Sequence, residues 1–192
     1  MRHGPFYILV CFLVNIGCNN APTQKLEETK EVSEHIKDIT PKDITPKDIE
    51  SLRFEDYALS DDSRKALENW QKYQDLNEQI DFIRKADFSF FSGDSKVLKA
   101  FLNDFKTEMP ETIKTAPILS RIIALETKIL KLNSILRLNN MDKATRVDAI
   151  KEVLVAMSNL NLQINKKFEL EANRVEENRD SDKSSTDKLN LN

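Results

Sequence analysis

Cysteine and histidine are the side chains best suited to nucleophilic or metal chemistry, and this chain of 192 residues has two of each. Neither His3 nor His35 has a cysteine or a second histidine close by. Zinc sites and histidine-activated nucleophiles need such neighbours, so neither is expected here. The thiol of Cys18 is the group whose surroundings indicate chemistry, because it directly follows an apolar run.

That apolar run spans residues 6–16 and comes after the charged residue Arg2. The arrangement is typical of an export signal, and the run is too short to cross a bilayer, which takes about 20 residues. The stretch Leu13-Val14-Asn15-Ile16-Gly17-Cys18 resembles the lipobox of bacterial lipoproteins, although Asn15 stands where Leu is common. Spirochaetal lipoproteins have permissive lipoboxes of this kind. An ordinary signal peptide and an uncleaved anchor are the alternatives.

In a lipoprotein the cysteine thiol is acylated and the preceding signal, here residues 1–17, is removed. Two or three acyl chains on Cys18 would hold the protein on a membrane, whereas one chain gives only reversible attachment. Cys11 would leave with the signal, so the mature chain would have no free thiol and no disulfide. The membrane is therefore the first expected partner.

Carboxylates are numerous, for example at Asp75, Glu78 and Asp81. Their neighbours are mostly Lys, Arg or Asn, as on a solvated helix surface, and no cleft for a pair of catalytic carboxylates is indicated. We expect no enzyme activity.

Charge and glycine content exclude further classes of site. The net charge is −3, and residues 1–17 carry only Arg2, so the remainder has a charge of −4. No basic field is present to attract nucleic acid. Gly93 is the only glycine after Gly17, whereas phosphate-binding loops and tight hairpins need several. The sequence predicts no cofactor and favours a helical fold.

Residues 18–60 are polar and are predicted to form a flexible tether. The pentad Lys-Asp-Ile-Thr-Pro occurs at 37–41 and again at 42–46, and Lys-Asp-Ile follows at 47–49. Proline disfavours helix before it, so an extended spacer is expected. A docking motif that uses the three isoleucines of the repeat is the alternative. Residues 52–59 are expected to lie back on the folded body through Phe54 and Tyr57.

Two helices are predicted after the tether. The first covers residues 62–86, after cap candidates at 60–63, and its apolar stripe is Leu67, Trp70, Tyr73, Ile80 and Ile83. The second begins after Asp94 or Ser95 and ends before Pro110. Its apolar face is Val97, Leu98, Phe101, Leu102, Phe105 and Met109.

The strongest periodicity follows, with apolar residues spaced alternately by four and three. One seam is Ile118, Ile122, Leu125, Ile129, Leu132 and Leu136, and the next is Val147, Ile150, Leu154, Met157, Asn161, Ile164 and Phe168. A short turn at 139–142 predicts an antiparallel hairpin, which the first two helices would cover. Asn161 is expected to fix register at some cost in stability.

These elements predict an all-α fold: an antiparallel bundle of about four helices over residues 61–171, after the disordered tether. The last helix is expected to fray near Glu171. Residues 172–192 are charged and poor in apolar side chains, and they are expected to form a disordered tail.

Phe88, Phe90 and Phe91 form the only local cluster in the body that suggests a site. One interpretation is an apolar plug between the first two helices. The other is an exposed aromatic patch that binds a partner.

The lipobox, the low-complexity tether, the cysteine-free helical body and the Lys/Asn/Ile-rich composition together resemble borrelial lipoproteins. The resemblance lies in organisation, and it implies an outer-membrane, surface-exposed lipoprotein that acts as a non-catalytic binding module with a protein partner. Asn19 and Asn20 after the cysteine differ from the Asp-type inner-membrane retention signal. A periplasm-facing structural subunit of an envelope assembly is the alternative.

Overall fold

A computed structural model describes the backbone of residues 43–189 and the side chains of residues 43–175. Between residues 43 and 189 it consists of helices and their connections. The α-helices are α1 Pro46–Glu50, α2 Asp61–Ala66, α3 Gln71–Arg84, α4 Ser89–Ser92, α5 Ser95–Thr107, α6 Ala116–Leu136 and α7 Lys143–Leu189. The predicted all-α fold is confirmed. No helix in this range is long and apolar enough to cross a bilayer.

The antiparallel pair α6 and α7 forms the centre of the bundle. All six residues of the α6 seam are buried, as are the middle residues of the α7 seam. Glu152 of α7 pairs with Lys128 and Lys131 of α6, at 3.4 and 2.8 Å, as the antiparallel arrangement of the two helices allows. Next to this seam Ile123 stays 59% exposed, so the other helices do not cover all of the apolar surface of α6.

The prediction of one continuous helix over residues 62–86 is wrong, because the structure has two helices there. α2 ends at Ala66 and α3 begins at Gln71, and Trp70 between them has φ −91° and ψ 83°. This break turns the indole into the core, where Nε1 donates to the Phe105 carbonyl at 3.2 Å. A tryptophan whose N–H is paired can be fully buried without an unsatisfied donor.

α5 follows the sequence prediction closely. The Asp94 carboxylate accepts from the backbone N–H of Lys96 at 2.6 Å, which caps the helix. Leu98, Leu102 and Phe105 are buried, whereas Val97 is exposed. A 3₁₀ turn, Glu111–Ile113, then leads to α6.

The described part of α7 leaves the core before Val175. Among the side chains described up to Val175, Phe168 is the last that packs against the core, and residues 169–175 are all exposed. Loss of tertiary contact therefore begins close to Glu171, where fraying is expected from the sequence, but the helical backbone continues to Leu189. The side chains after Val175 lie outside the described residues.

The predicted boundary between tether and body at residue 60 is wrong. Residues 43–60, here called the strap, lie against the bundle, and Ile44 and Ile49 are each only 5% exposed. Thr45 is extended, with φ −109° and ψ 161°, as expected before a proline, and Pro46 then occupies the first turn of α1. The body therefore includes the second and third repeat units. The rest of the predicted tether, before Asp43, lies outside the described residues.

Candidate functional site

The docking of α1 is the first polar site on the bundle. Within the helix, the Asp48 carboxylate accepts from both the backbone N–H and the hydroxyl of Thr45, each at 2.7 Å. Two basic side chains of α7 hold the segment from outside: Lys143 pairs with Asp48 at 2.9 Å, and Arg146 pairs with Asp43 at 3.4 Å. α1 itself lies against α3 and α7. Within the described residues, the second and third repeat units thus each contribute one buried isoleucine and one paired aspartate.

These contacts change the acidity of Asp48. The hydrogen bond from Lys143, followed by those from the Thr45 backbone and hydroxyl, lowers the pKa of Asp48 from 3.8 to about 2. The carboxylate is therefore ionised at any physiological pH, and its contact with Lys143 is present throughout that range.

A ladder of three α7 side chains holds the second half of the strap. The Ser158 hydroxyl donates to the Glu55 carbonyl at 2.6 Å and accepts from the Tyr57 N–H at 2.8 Å. Asn165 donates to the Ala58 carbonyl at 2.8 Å and accepts from the Ser60 N–H at 2.9 Å. Both residues thus pair with the strap backbone in two directions, as a β-strand would.

Asn161 is the middle rung of this ladder and also reaches α3. Its amide donates to the Tyr57 carbonyl at 3.0 Å, and its Oδ1 accepts from the Tyr73 hydroxyl at 2.7 Å. Burial raises the pKa of Tyr73, so the phenol stays neutral and keeps its donor proton. The contact of residues 52–59 with the body is confirmed, but Tyr57 makes it through its backbone and its ring stays exposed.

The aromatic cluster is placed inside the fold. Phe88 and Phe91 are fully buried, and Phe90 packs edge-on against Phe91 and Phe101, with ring centroids at 5.0 and 5.1 Å. An exposed patch for a partner, made of Phe88, Phe90 and Phe91, is therefore contradicted, and the plug interpretation agrees with the packing.

Asn133 of α6 ties this plug to the hairpin. Its buried amide donates to the carbonyls of Phe91 and Gly93, at 2.8 and 3.0 Å, and its Oδ1 accepts from the Ser95 hydroxyl at 2.6 Å. Asn133 satisfies the carbonyls where α4 ends, which is why a polar side chain is buried there.

An open groove of about 330 Å³ runs between α6 and α7. It is lined by Arg121, Ala124, Lys128, Lys151, Glu152, Val155, Ala156 and Asn159. The single carboxylate, Glu152, is already paired with two lysines, and the Lys131 hydrogen bond is the main cause that lowers its pKa. Within residues 43–175, Arg121 and Lys151 make no ion pair. The groove thus combines an apolar lining with an excess of positive charge.

The residue singled out for lipidation, Cys18, lies outside the described residues, as do both histidines. Within the part that the structure describes, no group of three or more His, Cys, Asp or Glu side chains could hold a metal ion. Sequence reasoning missed Ser158, Asn165 and Asn133. A signal for the ladder was present, because Ser158, Asn161 and Asn165 recur every three or four residues along one face of α7.

Comparison of this chain with protein-family models, with curated proteins and with solved structures gave no match.

Proposed function

We propose that this chain is a lipoprotein anchored in the outer membrane through Cys18, where its helical body acts as a non-catalytic interaction module. The observation that carries the proposal is the position of Gly17 and Cys18 directly after a short apolar run with a basic residue before it. The thiol is the natural acceptor of acyl chains there, and the body after it is a helical bundle that can be displayed from a membrane.

The anchor is tested by Cys18→Ala in the native host or a bacterial expression host that is fed a labelled fatty acid. We expect the variant to accumulate as the unlabelled precursor, since the lipid must be attached before the signal is cut. Cys11→Ala is the matched control and should still be labelled and processed. Labelling of the Cys18→Ala protein would overturn the proposed anchor.

The groove between α6 and α7 is the surface best suited to the interaction. Its apolar lining, which includes Ala124 and Val155, leaves room for a close approach. Arg121 and Lys151, which make no ion pair with any residue from 43 to 175, add positive charge. On a protein of net negative charge, such a site favours an acidic protein segment with an apolar face.

Photo-crosslinking tests this surface in intact cells. A photoreactive residue at Val155 should give a crosslinked protein partner, and the same residue at Lys99, which is exposed on α5, should not. The crosslink at residue 155 should weaken when Arg121 and Lys151 are both changed to Glu. Equal crosslinking from residues 155 and 99 would exclude the groove.

The side of the membrane on which the body lies separates the proposed surface role from the periplasm-facing structural role. Trypsin added to whole cells has targets at Lys25 and Lys30, in the segment that the sequence predicts to be a spacer. A surface lipoprotein should be released by this treatment. If the protein is cut only after the outer membrane is opened, the surface role fails and a periplasmic assembly becomes the better proposal.

A further inference from the structure

The residues that dock α1 on the bundle belong to a sequence that occurs twice in the chain. Eight consecutive residues, Lys-Asp-Ile-Thr-Pro-Lys-Asp-Ile, occur at 37–44 and again at 42–49. Residues 43–49 of the second copy occupy a defined place on the bundle, with Ile44 and Ile49 buried, Asp43 on Arg146 and Asp48 on Lys143. Thr45 and Asp48 close the first turn.

Each group that makes these contacts has an identical counterpart five residues earlier. Ile39 corresponds to Ile44, Asp38 to Asp43, and Thr40 to Thr45. Ile44 and Asp43 themselves correspond to Ile49 and Asp48, so both copies share them. The bundle surface therefore meets the same side chains in the same order, whichever copy it holds.

We propose that the surface formed by α3 and α7 beneath α1 is a binding site for the peptide Asp-Ile-Thr-Pro-Lys-Asp-Ile, and that either copy in this chain can fill it. Two apolar positions on this surface bind isoleucines five residues apart in the peptide, and Lys143 and Arg146 form ion pairs with its aspartates. Proline assists by presetting the backbone at the first turn of the bound helix.

Exchange between the two copies keeps the isoleucine and aspartate contacts, but Pro46 would stand where Ser51 donates its backbone N–H to Lys47, so the first copy lacks that one bond. When the first copy binds, residues 45–49 join the loop that leads to Leu52, and lengthening a loop by five residues adds only a small entropic cost. The chain before the site becomes five residues shorter, which is roughly 17 Å of extended backbone. The segment of chain that precedes the docking site therefore has one of two lengths, which differ by five residues.

Substitution of the isoleucines in the full chain, kept in detergent, tests whether one copy or either copy can occupy the site; these alternatives are called one register and two registers. With two registers, Ile39→Asp alone should leave the urea midpoint unchanged, because the second copy stays bound. Ile49→Asp should lower the midpoint less than Ile44→Asp, because the first copy can replace the second. Adding Ile39→Asp to Ile49→Asp should then lower the midpoint to that of Ile44→Asp, since neither copy remains intact.

Hydrogen exchange shows directly which copy is bound. In the unaltered chain the amides of Asp48 and Ser51 are bonded in α1. In Ile49→Asp their protection should disappear, and the Asp43 amide should become protected. The proposal is overturned if Ile49→Asp costs as much as Ile44→Asp while Ile39→Asp is silent in both backgrounds. Ile→Ala at the same positions provides the same comparison if an Asp variant fails to fold.

Discussion

Asn161 interrupts an apolar seam because it connects three elements. One amide group serves the strap backbone and the Tyr73 phenol of α3 together, while its own helix is α7. The Tyr73 phenol, which is only 3% exposed, depends on Asn161 for its hydrogen bond. A polar residue at a seam position was expected to lower stability, but removing this one would leave two polar groups unpaired, and that is the larger penalty.

Replacing Asn161 by Leu should therefore destabilise the protein by about 2–3 kcal/mol, because the Tyr73 hydroxyl and the Tyr57 carbonyl lose their partner. Urea unfolding of the fragment of residues 43–175 measures the change. Adding Tyr73→Phe removes one unpaired group and should recover about 1 kcal/mol. An increase in stability for Asn161→Leu alone would show that the contacts contribute less than apolar burial.

Ala86 stores strain at the end of α3. Its φ is 60°, and it occupies the left-handed position of a Schellman motif, with the Asp87 amide bonded to the Phe82 carbonyl at 2.9 Å. Glycine takes this conformation without the clash of a Cβ.

Ala86→Gly should accordingly raise the free energy of unfolding by about 0.5–1 kcal/mol, since glycine relieves the strain. Ala100→Gly, in the exposed middle of α5, is the matched control and should lower it by about 1 kcal/mol. Thermal or urea unfolding of both variants gives the comparison. If both variants are destabilised to the same degree, the strain at Ala86 is negligible.

At the scale of elements, α1 shows how so short a helix can be stable. Five residues are too few for a helix in isolation. Thr45 and Asp48 satisfy each other at the first turn, Pro46 presets the backbone, and Lys143 of α7 holds the Asp48 carboxylate. Local capping and tertiary pairing thus share the same carboxylate.

This shared carboxylate predicts an acid-sensitive contact. The pKa of Asp48 is lowered on folding, so its contribution is complete above pH 3.8 and is lost as the pH falls through about 2. Asp48→Asn should lower the urea midpoint at pH 5, and the gap to the unaltered chain should close between pH 4 and 2. Lys143→Ala should show the same closing gap. Parallel pH curves for all three proteins would contradict the assignment.

Periodicity explains which elements could be predicted. The hairpin α6–α7 has alternating spacings of three and four over many turns, and only one helical phase fits them. The break before Gln71 could not be read in this way, because Leu67, Trp70 and Tyr73 are spaced by three and fit a continuous helix. The break coincides with the burial of the Trp70 indole, which donates to the Phe105 carbonyl, a contact 35 residues away in the sequence.

At the scale of the whole molecule, the docking of the strap is the feature that is hardest to predict from the sequence. Isoleucines five residues apart match neither a helix face nor a strand face, so the repeat reads as a spacer. Asn161 stood out as a polar residue in a seam, but its partner Tyr73 is 88 residues away, and no local pattern encodes that pairing. The groove depends on which side chains of α6 and α7 face each other across the hairpin, and the apolar spacing of the two seams does not specify that.

Removing the strap should weaken the whole bundle. A fragment of residues 61–175 should be less stable than residues 43–175 by at least about 3 kcal/mol, since Ile44 and Ile49 each contribute about 1.5–3 kcal/mol by burial. A fragment that begins at residue 52 keeps the ladder but lacks α1, so it separates the two contributions. Unfolding midpoints measure all three, and equal values would mean that the strap adds nothing.

The strap also determines the order in which the fold can be completed. The strap residues that bond to the ladder have hydrogen-bond partners 101 to 107 positions later in the chain. Ribosomes make the strap before the other described segments, yet it cannot pair fully until α7 has been synthesised as far as Asn165. Pairing over so long a separation is slow, and it comes late. The strap therefore stays unpaired for most of the time in which residues 43–165 are synthesised, and the bundle reaches its full stability only after that.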